Sequence, residues 1–320
     1  MRVLSGIQPS GNLHIGNYFG AIQQYLALQQ EHECFFFVAN YHALTTIKNA
    51  DELHLLTADC VRDYLALGLD PERATIFLQS DLPEVTELAW ILSTVTPMGL
   101  LQRCHAYKEK LAEGLPAEHG LFAYPVLMAA DILIFDSDLV PVGQDQKQHV
   151  EVARDIAQRF NSTFGDVLRL PEPHILSETA VVPGTDGRKM SKSYGNTVGI
   201  FDDDDAVRAA VMRIKTDSKG IDEPKDPDAC NLFALFRLFA DAPERTEMGE
   251  RYRKGGIGYK EMKDHLIDLI ISYFADAKTR QQELQTQAAH IRKVLDDGII
   301  RARQVARKTL DRIRSAVGLP

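Results

Sequence analysis

Cys34-Phe35-Phe36-Phe37-Val38 is an unbroken apolar run, and no other stretch constrains the fold as tightly. A strand with one wet face alternates apolar and polar side chains, and a run this short suits a strand better than a buried helix. It therefore predicts a strand covered on both faces, as in a parallel sheet flanked by helices. Neighbouring segments agree. Val3-Leu4-Ser5-Gly6-Ile7 reads as a first strand and Thr75-Ile76-Phe77-Leu78 as a third. Ile22, Tyr25, Leu26 and Gln29 fall at helical spacing, and 51–67 reads as a helix with Leu56, Cys60, Tyr64 and Leu67 on one face. Gly68 suits the position after that helix, and Asp70-Pro71 prevents its continuation. Asp81 and Pro83 open another helix, with Ser80 or Asp81 as its cap. Leu139-Val140-Pro141-Val142 reads as a strand, followed by a helix carrying His149, Ala153, Ile156 and Phe160 on one face. The expected fold is α/β, a doubly wound parallel sheet with a helical C-terminal domain.

The pattern changes along the chain. Residues 97–138 fit less well and read as an insertion between two halves of the sheet. After Asp202 helical spacing dominates, ending in a helix over 302–317 with Ala302, Val305, Ala306, Leu310, Ile313 and Val317 on one stripe. The expected division is 1–194, 195–290 and a basic helix in 291–320. At 320 residues, 45% hydrophobic and 25% charged, the composition is that of an ordinary globular chain. No stretch approaches the roughly 20 apolar residues of a membrane helix, and the first residues do not read as a secretory leader. Four separated cysteines form no C-x-x-C pair, which predicts free thiols rather than a zinc site. A net charge of −9 excludes a uniformly basic nucleic-acid coat but leaves room for a local patch. Residues 291–320 hold eight bases and three acids, a net of +5, which leaves −14 on the rest. That tail either meets RNA phosphates or docks on the acidic body.

Four segments carry chemistry. Gln8-Pro9-Ser10-Gly11-Asn12-Leu13-His14-Ile15-Gly16-Asn17 lies between a strand and a helix, where free backbone N–H groups and the helix dipole face an anion. His14 and Asn17, three apart, can point the same way as donors to phosphate, and Gly16 permits close approach to the backbone. An ordinary strand-to-helix turn is the plainer alternative. Gly187-Arg188-Lys189-Met190-Ser191-Lys192-Ser193 sets two ammonium groups three apart between glycines, after the strand-like Ala180-Val181-Val182. It reads as a cationic clamp for polyphosphate, or as a solvated basic loop. An exact pentapeptide such as Lys-Met-Ser-Lys-Ser arises by chance in such a chain on the order of 10⁻⁴ of the time. Asp131 stands amid apolar Tyr124–Phe135, so it is a buried acceptor with a partner, a residue on a solvated helix face, or a cap. Asp202-Asp203-Asp204-Asp205 reads as the start of a helix rather than a metal site, because four adjacent carboxylates do not converge.

With Gly6-Ile7-Gln8-Pro9-Ser10-Gly11, Met128-Ala129-Ala130-Asp131-Ile132-Leu133 and Pro141-Val142-Gly143-Gln144-Asp145-Gln146, these segments resemble the bacterial tryptophanyl branch of the class I aminoacyl-tRNA synthetases. The similarity runs through most of the first 200 residues. Asn17 stands where many class I members have histidine, a change typical of that branch. Gln144 stands where many relatives have glutamate.

The resemblance implies a Rossmann-like catalytic domain over 1–194, an anticodon-binding helical domain over 195–290, and a tryptophan–tRNA ligase that uses MgATP, with no tightly bound metal. It implies catalytic roles for His14, Asn17, Lys189 and Lys192. ATP contacts fall to Gln8, Pro9, Ser10, Gly16, Asn17, Gly143, Gln144, Asp145, Val182, Lys189, Met190, Ser191, Lys192 and Ser193. Asp131 takes the indole N–H, Tyr124 and Gln146 hold the ammonium group, and Met128, Val140 and Val142 wall the slot. The implied partners are L-tryptophan, ATP, tRNA(Trp) and a second copy of the chain, in the cytoplasm and away from membranes. A tyrosyl-specific relative and a catalytically silent RNA-binding paralogue are the competing expectations.

Overall fold

Five parallel strands form one sheet among the described residues of the computed structural model, which are 1–104, 107, 118–143, 147–175 and 182–320. They are β1 (Arg2–Ile7), β2 (Glu33–Val38), β3 (Ala74–Leu78), β4 (Leu139–Val142) and β5 (Glu172–Ile175), in the order β3-β2-β1-β4-β5. The chain winds outward from β1 to β3, then returns through residues 79–138 to place β4 on the other side of β1. The parallel register sets Val3 opposite Leu139, so the carboxyl ends of β1 and β4 open at the same edge of the sheet. Doubly wound folds bind ligands at this reversal of strand order.

The run that predicted a two-faced strand is β2, and its residues from Cys34 to Val38 are buried. Phe35 lies 4.9 Å from Phe135 on one face, while Phe36 lies 5.1 Å from Tyr25 on the other. Helices cover both sides: α1 (Gln23–Glu31), the short α2 (Asn40–Ala43), α3 (Ala50–Ala66), α4 (Glu84–Ser93), α5 (His119–Leu133) and α6 (Lys147–Phe164). Asn49 caps α3 by accepting the Glu52 amide, and Gly68, at φ 110°, turns the chain away after it.

Two local readings are corrected. Neither Ser80 nor Asp81 caps α4, which begins behind Pro83. Gln79–Asp81 form their own 3₁₀ turn, and the Ser80 amide is taken by Asn40 Oδ1. β5 was not expected, because Glu172-Pro173-His174-Ile175 has neither an apolar run nor clean alternation; an edge strand tolerates proline. The strand-like Ala180-Val181-Val182 lies outside the described residues except for Val182.

The chain packs into two units. One comprises Met1–Gly11, Tyr25–Leu176 and Leu284–Pro320. Its last helix, α11 (Ala288–Val317), begins well before the expected 302 and lies on β3. Ala302, Ala306, Leu310 and Ile313 are buried in the same core as Phe35 and Phe77, and each large apolar side chain so buried contributes about 1.5–3 kcal/mol. The bases of α11 meet partners in this unit. Arg303 and Arg307 reach Glu84, Arg312 reaches Asp136, Arg314 grips Glu87 through two nitrogens, and Arg301 donates to the Pro71 carbonyl. The positive tail is thus complementary to acids of its own unit.

The second unit comprises Asn12–Gln24 and Ser177–Glu283. It contains α7 (Asp204–Met212), α8 (Asn231–Phe239), α9 (Ala242–Lys254) and α10 (Tyr259–Gln285). Tyr18 and Phe19 seat residues 12–24 by stacking edge-on against Phe274 and Phe239. In the acidic run, Asp203 caps α7 by accepting the Ala206 amide. Among the described residues, no three His, Cys, Asp or Glu side chains are grouped to hold a metal, and no helix is long and apolar enough to cross a membrane.

Candidate active site

Two segments remote in sequence lie side by side in the second unit. The Ile15 amide donates to Val198 O and the Ile200 amide to Leu13 O, each at 3.0 Å. This antiparallel pairing holds His14, in extended conformation, at the head of the single helical turn Ile15–Asn17. Asn17 turns its Oδ1 back onto the His14 amide at 3.0 Å, which leaves Nδ2 as its donor toward a ligand. The His14 ring is buried, and its Nδ1 has no hydrogen-bond partner among the described residues. Burial, and then the charge of Lys192, lower its pKa to about 4. The imidazole is therefore neutral at pH 7 and serves as a hydrogen-bonding group, not a cation. A β-carbon at Gly16 would stand 3.0 Å from the His14 ring and 3.2 Å from Met190 Cβ. Glycine there lets the imidazole lie over the turn and the lysine segment close on it.

The lysine segment is built on a hairpin. Met190 N donates to Val182 O at 2.9 Å and Gly184 N to Arg188 O at 2.7 Å, with Gly187 at φ 88° in the turn. Val182 and Met190 are buried, whereas Lys189, Lys192 and Ser193 are exposed and Ser191 half-buried. Ser191 and Ser193 share a hydroxyl hydrogen bond of 2.9 Å. Asn196, which sequence reasoning did not single out, braces this loop from beneath and is 2% exposed. Its Nδ2 donates to Asp186 Oδ1 at 2.7 Å and Lys189 O at 3.1 Å, and its Oδ1 accepts the Ser191 amide at 2.8 Å. Hydrogen bonds from Asn196 and then Arg188 hold the Asp186 carboxyl down at about 2.

The remaining expected site residues belong to the first unit. Gln8 and Ser10 are exposed and Pro9 buried just past β1, and Gly143 follows β4. Gln144, Asp145 and Gln146 lie outside the described residues. Asp131, in the last turn of α5, is 2% exposed, so it is neither on a solvated face nor a cap. Gln79 Nε2 lies 2.9 Å from both of its oxygens, and His42 Nε2 lies 2.8 Å from Oδ2. Burial raises the Asp131 pKa, and the bonds from His42 and Gln79 oppose that rise. Tyr124 OH pairs with His149 Nε2 at 3.0 Å. Val140 is buried, and Met128 and Val142 are partly buried against the core.

Sequence reasoning missed His42 and Gln79 because no spacing links them to Asp131, 89 and 52 residues further on. One signal was available. Gln79 directly follows β3, and His42 lies in the short helix four residues past β2, at the carboxyl ends of parallel strands where such folds place their ligand-contacting residues.

The model of the family described as class I tRNA synthetases (W and Y) matches residues 1–275. The chain belongs to that family. It is 52% identical to the tryptophan–tRNA ligase of Rhodopirellula baltica and 49% identical to that of Campylobacter jejuni, each over 100% of both chains. Its fold matches the crystal structure of Campylobacter jejuni tryptophanyl-tRNA synthetase complexed with ADP and tryptophan, with TM-score 0.94 and 48% identity over 100% of both chains. The Mycoplasma pneumoniae tryptophanyl-tRNA synthetase matches at TM-score 0.84 and 31% identity, over 100% of this chain and 98% of that one. The paired segments of the second unit are residues 13–15 and 198–200, the latter five residues past Lys-Met-Ser-Lys-Ser.

Proposed function

We propose that this synthetase activates L-tryptophan with MgATP and esterifies it to the 3′-terminal adenosine of tRNA(Trp). A tryptophan carboxylate oxygen attacks the α-phosphorus, the bond from that phosphorus to the bridging oxygen breaks, and pyrophosphate leaves. The 2′-hydroxyl of the terminal adenosine then attacks the tryptophanyl carbonyl and releases AMP. No protein nucleophile is required. The catalytic task is to hold two anions in line and to neutralise the charge that develops on the leaving pyrophosphate.

The residues divide this task by chemistry. Lys189 and Lys192 supply positive charge, while neutral His14 and Asn17 supply hydrogen bonds to phosphate oxygens. The resemblance assigns the remaining ATP contacts to Gln8, Pro9, Ser10, Gly16, Gly143, Val182, Met190, Ser191 and Ser193. Mg²⁺ enters with ATP. The observation that carries the amino-acid choice is Asp131, a carboxylate buried beside apolar Ala130 and Ile132 of α5. An indole has a single polar hydrogen, and one buried acceptor with apolar walls of Met128, Val140 and Val142 separates it from phenylalanine. Tyr124 takes the ammonium end, with Gln146 beside it in the resemblance.

Two assembly expectations belong to this reading. A cavity of about 500 Å³ beside α4 and α5 is bordered by exposed Trp90, Met98 and Leu44, an apolar surface suited to a second copy of the chain. Residues 195–290 form the anticodon-binding part, and the work takes place in the cytoplasm with its tRNA. ATP–pyrophosphate exchange tested with each amino acid decides the central claim. Exchange that requires tryptophan supports it, and exchange that requires tyrosine overturns it. Sedimentation of the purified chain tests the dimer.

A further inference from the structure

We propose that Gln79 is a positioning residue for amino-acid selection: it orients the Asp131 carboxylate so that one lone pair, on Oδ1, remains for the substrate's indole N–H. This rests on the reading of Asp131 as the indole acceptor.

The count of hydrogen bonds carries the inference. A carboxylate offers about four lone-pair sites, two on each oxygen. Gln79 Nε2 contacts Oδ1 and Oδ2 at 2.9 Å, and His42 Nε2 contacts Oδ2 at 2.8 Å. Oδ2 is thereby filled and Oδ1 keeps one site. An indole brings one donor, so the remaining capacity matches the ligand. The Gln79 amide has a single orientation, because its Oε1 accepts the backbone amides of Tyr41 at 3.0 Å and His42 at 3.4 Å. Reversing the amide would set Oε1 against a carboxylate and Nε2 against two donors. Gln79 is 1% exposed, so bulk solvent does not reach its amide. It thus ties the end of β3 to α2, which carries His42, and to α5, which carries Asp131. A change at Gln79 rotates the acceptor without touching the ATP-facing residues.

The test compares Gln79→Met, which keeps the volume and removes every polar atom, with the isosteric Gln79→Glu, in tryptophan-dependent ATP–pyrophosphate exchange. Gln79→Met is expected to raise the KM for tryptophan about tenfold, with the KM for ATP and kcat within about twofold of the parent. In Gln79→Glu, two carboxyls within hydrogen-bonding distance repel each other when both are ionised and share a proton only at lower pH, so the loss is expected to be large at pH 8. At pH 6 the shared proton restores a donor toward Asp131, and the KM for tryptophan recovers at least threefold. The titratable groups around the pair are His42 and Tyr41 of α2 and Tyr124, two turns before Asp131. The parent and Gln79→Met, measured at both pH values, report the share of these groups.

An unchanged KM for tryptophan in Gln79→Met, equal losses toward ATP and tryptophan, or no recovery of Gln79→Glu at pH 6 beyond that of Gln79→Met overturns the proposal. Asp131→Asn separates the two readings. If it leaves the KM for tryptophan unchanged, Asp131 itself is not the acceptor. If it raises that KM while Gln79→Met does not, only the role of Gln79 fails.

Discussion

Gly298 of α11 faces the carbonyl oxygen of Ile76 in β3 so closely that a β-carbon on Gly298 would lie 1.8 Å from it. Helix backbone therefore packs directly on strand backbone, with no side chain between. Gly298→Ala must push α11 off the sheet, along with the buried stripe and the arginine pairs that follow. The expected cost is about 3 kcal/mol, read as a lower urea midpoint with unchanged slope. An unchanged midpoint would show that the contact yields freely.

Lys192→Ala removes positive charge from the pyrophosphate side. Exchange is expected to fall at least tenfold, equivalent to about 1.4 kcal/mol of transition-state stabilisation, while the KM for tryptophan stays within about twofold. An unchanged rate would remove Lys192 from the clamp.

Asn196→Ala should act on the same step from below the loop, because Asn196 sets the positions of Lys189 O and Ser191 N. A several-fold loss of kcat for exchange is expected, with little change in tryptophan binding measured by equilibrium dialysis. Loss of tryptophan binding instead would indicate a wider collapse.

Asp131→Ala is expected to raise the KM for tryptophan at least tenfold while ATP affinity, measured by calorimetry, is retained. The carboxylate has three hydrogen bonds from Gln79 and His42, so its removal also strands buried donors, and some stability is lost as well. Equal loss of both substrates would argue against the indole role.

His14 sets a pH signature. Its pKa is lowered from 6.5 to about 4, so between those values the unfolded chain binds more protons than the folded one. Stability contributed by neutral His14 is complete above pH 6.5 and is lost as pH falls toward 4. His14→Gln should flatten the stability curve in that window, as followed by chemical denaturation at pH 4.5, 5.5 and 7. NMR of the parent should show the His14 ring still neutral at pH 5.5.

Much of the fold was legible because it is local. The unbroken run at Cys34–Val38, the steps of three and four in 51–67 and the Gly68 stop are short-range patterns, and they mark β2 and α3. β5 escaped because an edge strand carrying Pro173 lacks the periodicity that marks a strand. The start of α4 differs from the expectation because Ser80 and Asp81, both good caps in isolation, are consumed by the 3₁₀ turn and by Asn40.

The net charge and the basic tail show the boundary well. By itself the sequence determined the α/β class and the family, since each rests on residues close together in the chain. It also determined that residues 291–320 are positive, but not what meets that charge. Tertiary structure decided it, by setting Arg303 and Arg307 against Glu84 and Arg314 against Glu87. Tertiary structure alone also joined Asp131 to Gln79 and His42, and His14 to the segment past Lys192. Hydrogen bonds and ion pairs act over a few ångströms, and only folding brings residues tens or hundreds of positions apart within that reach.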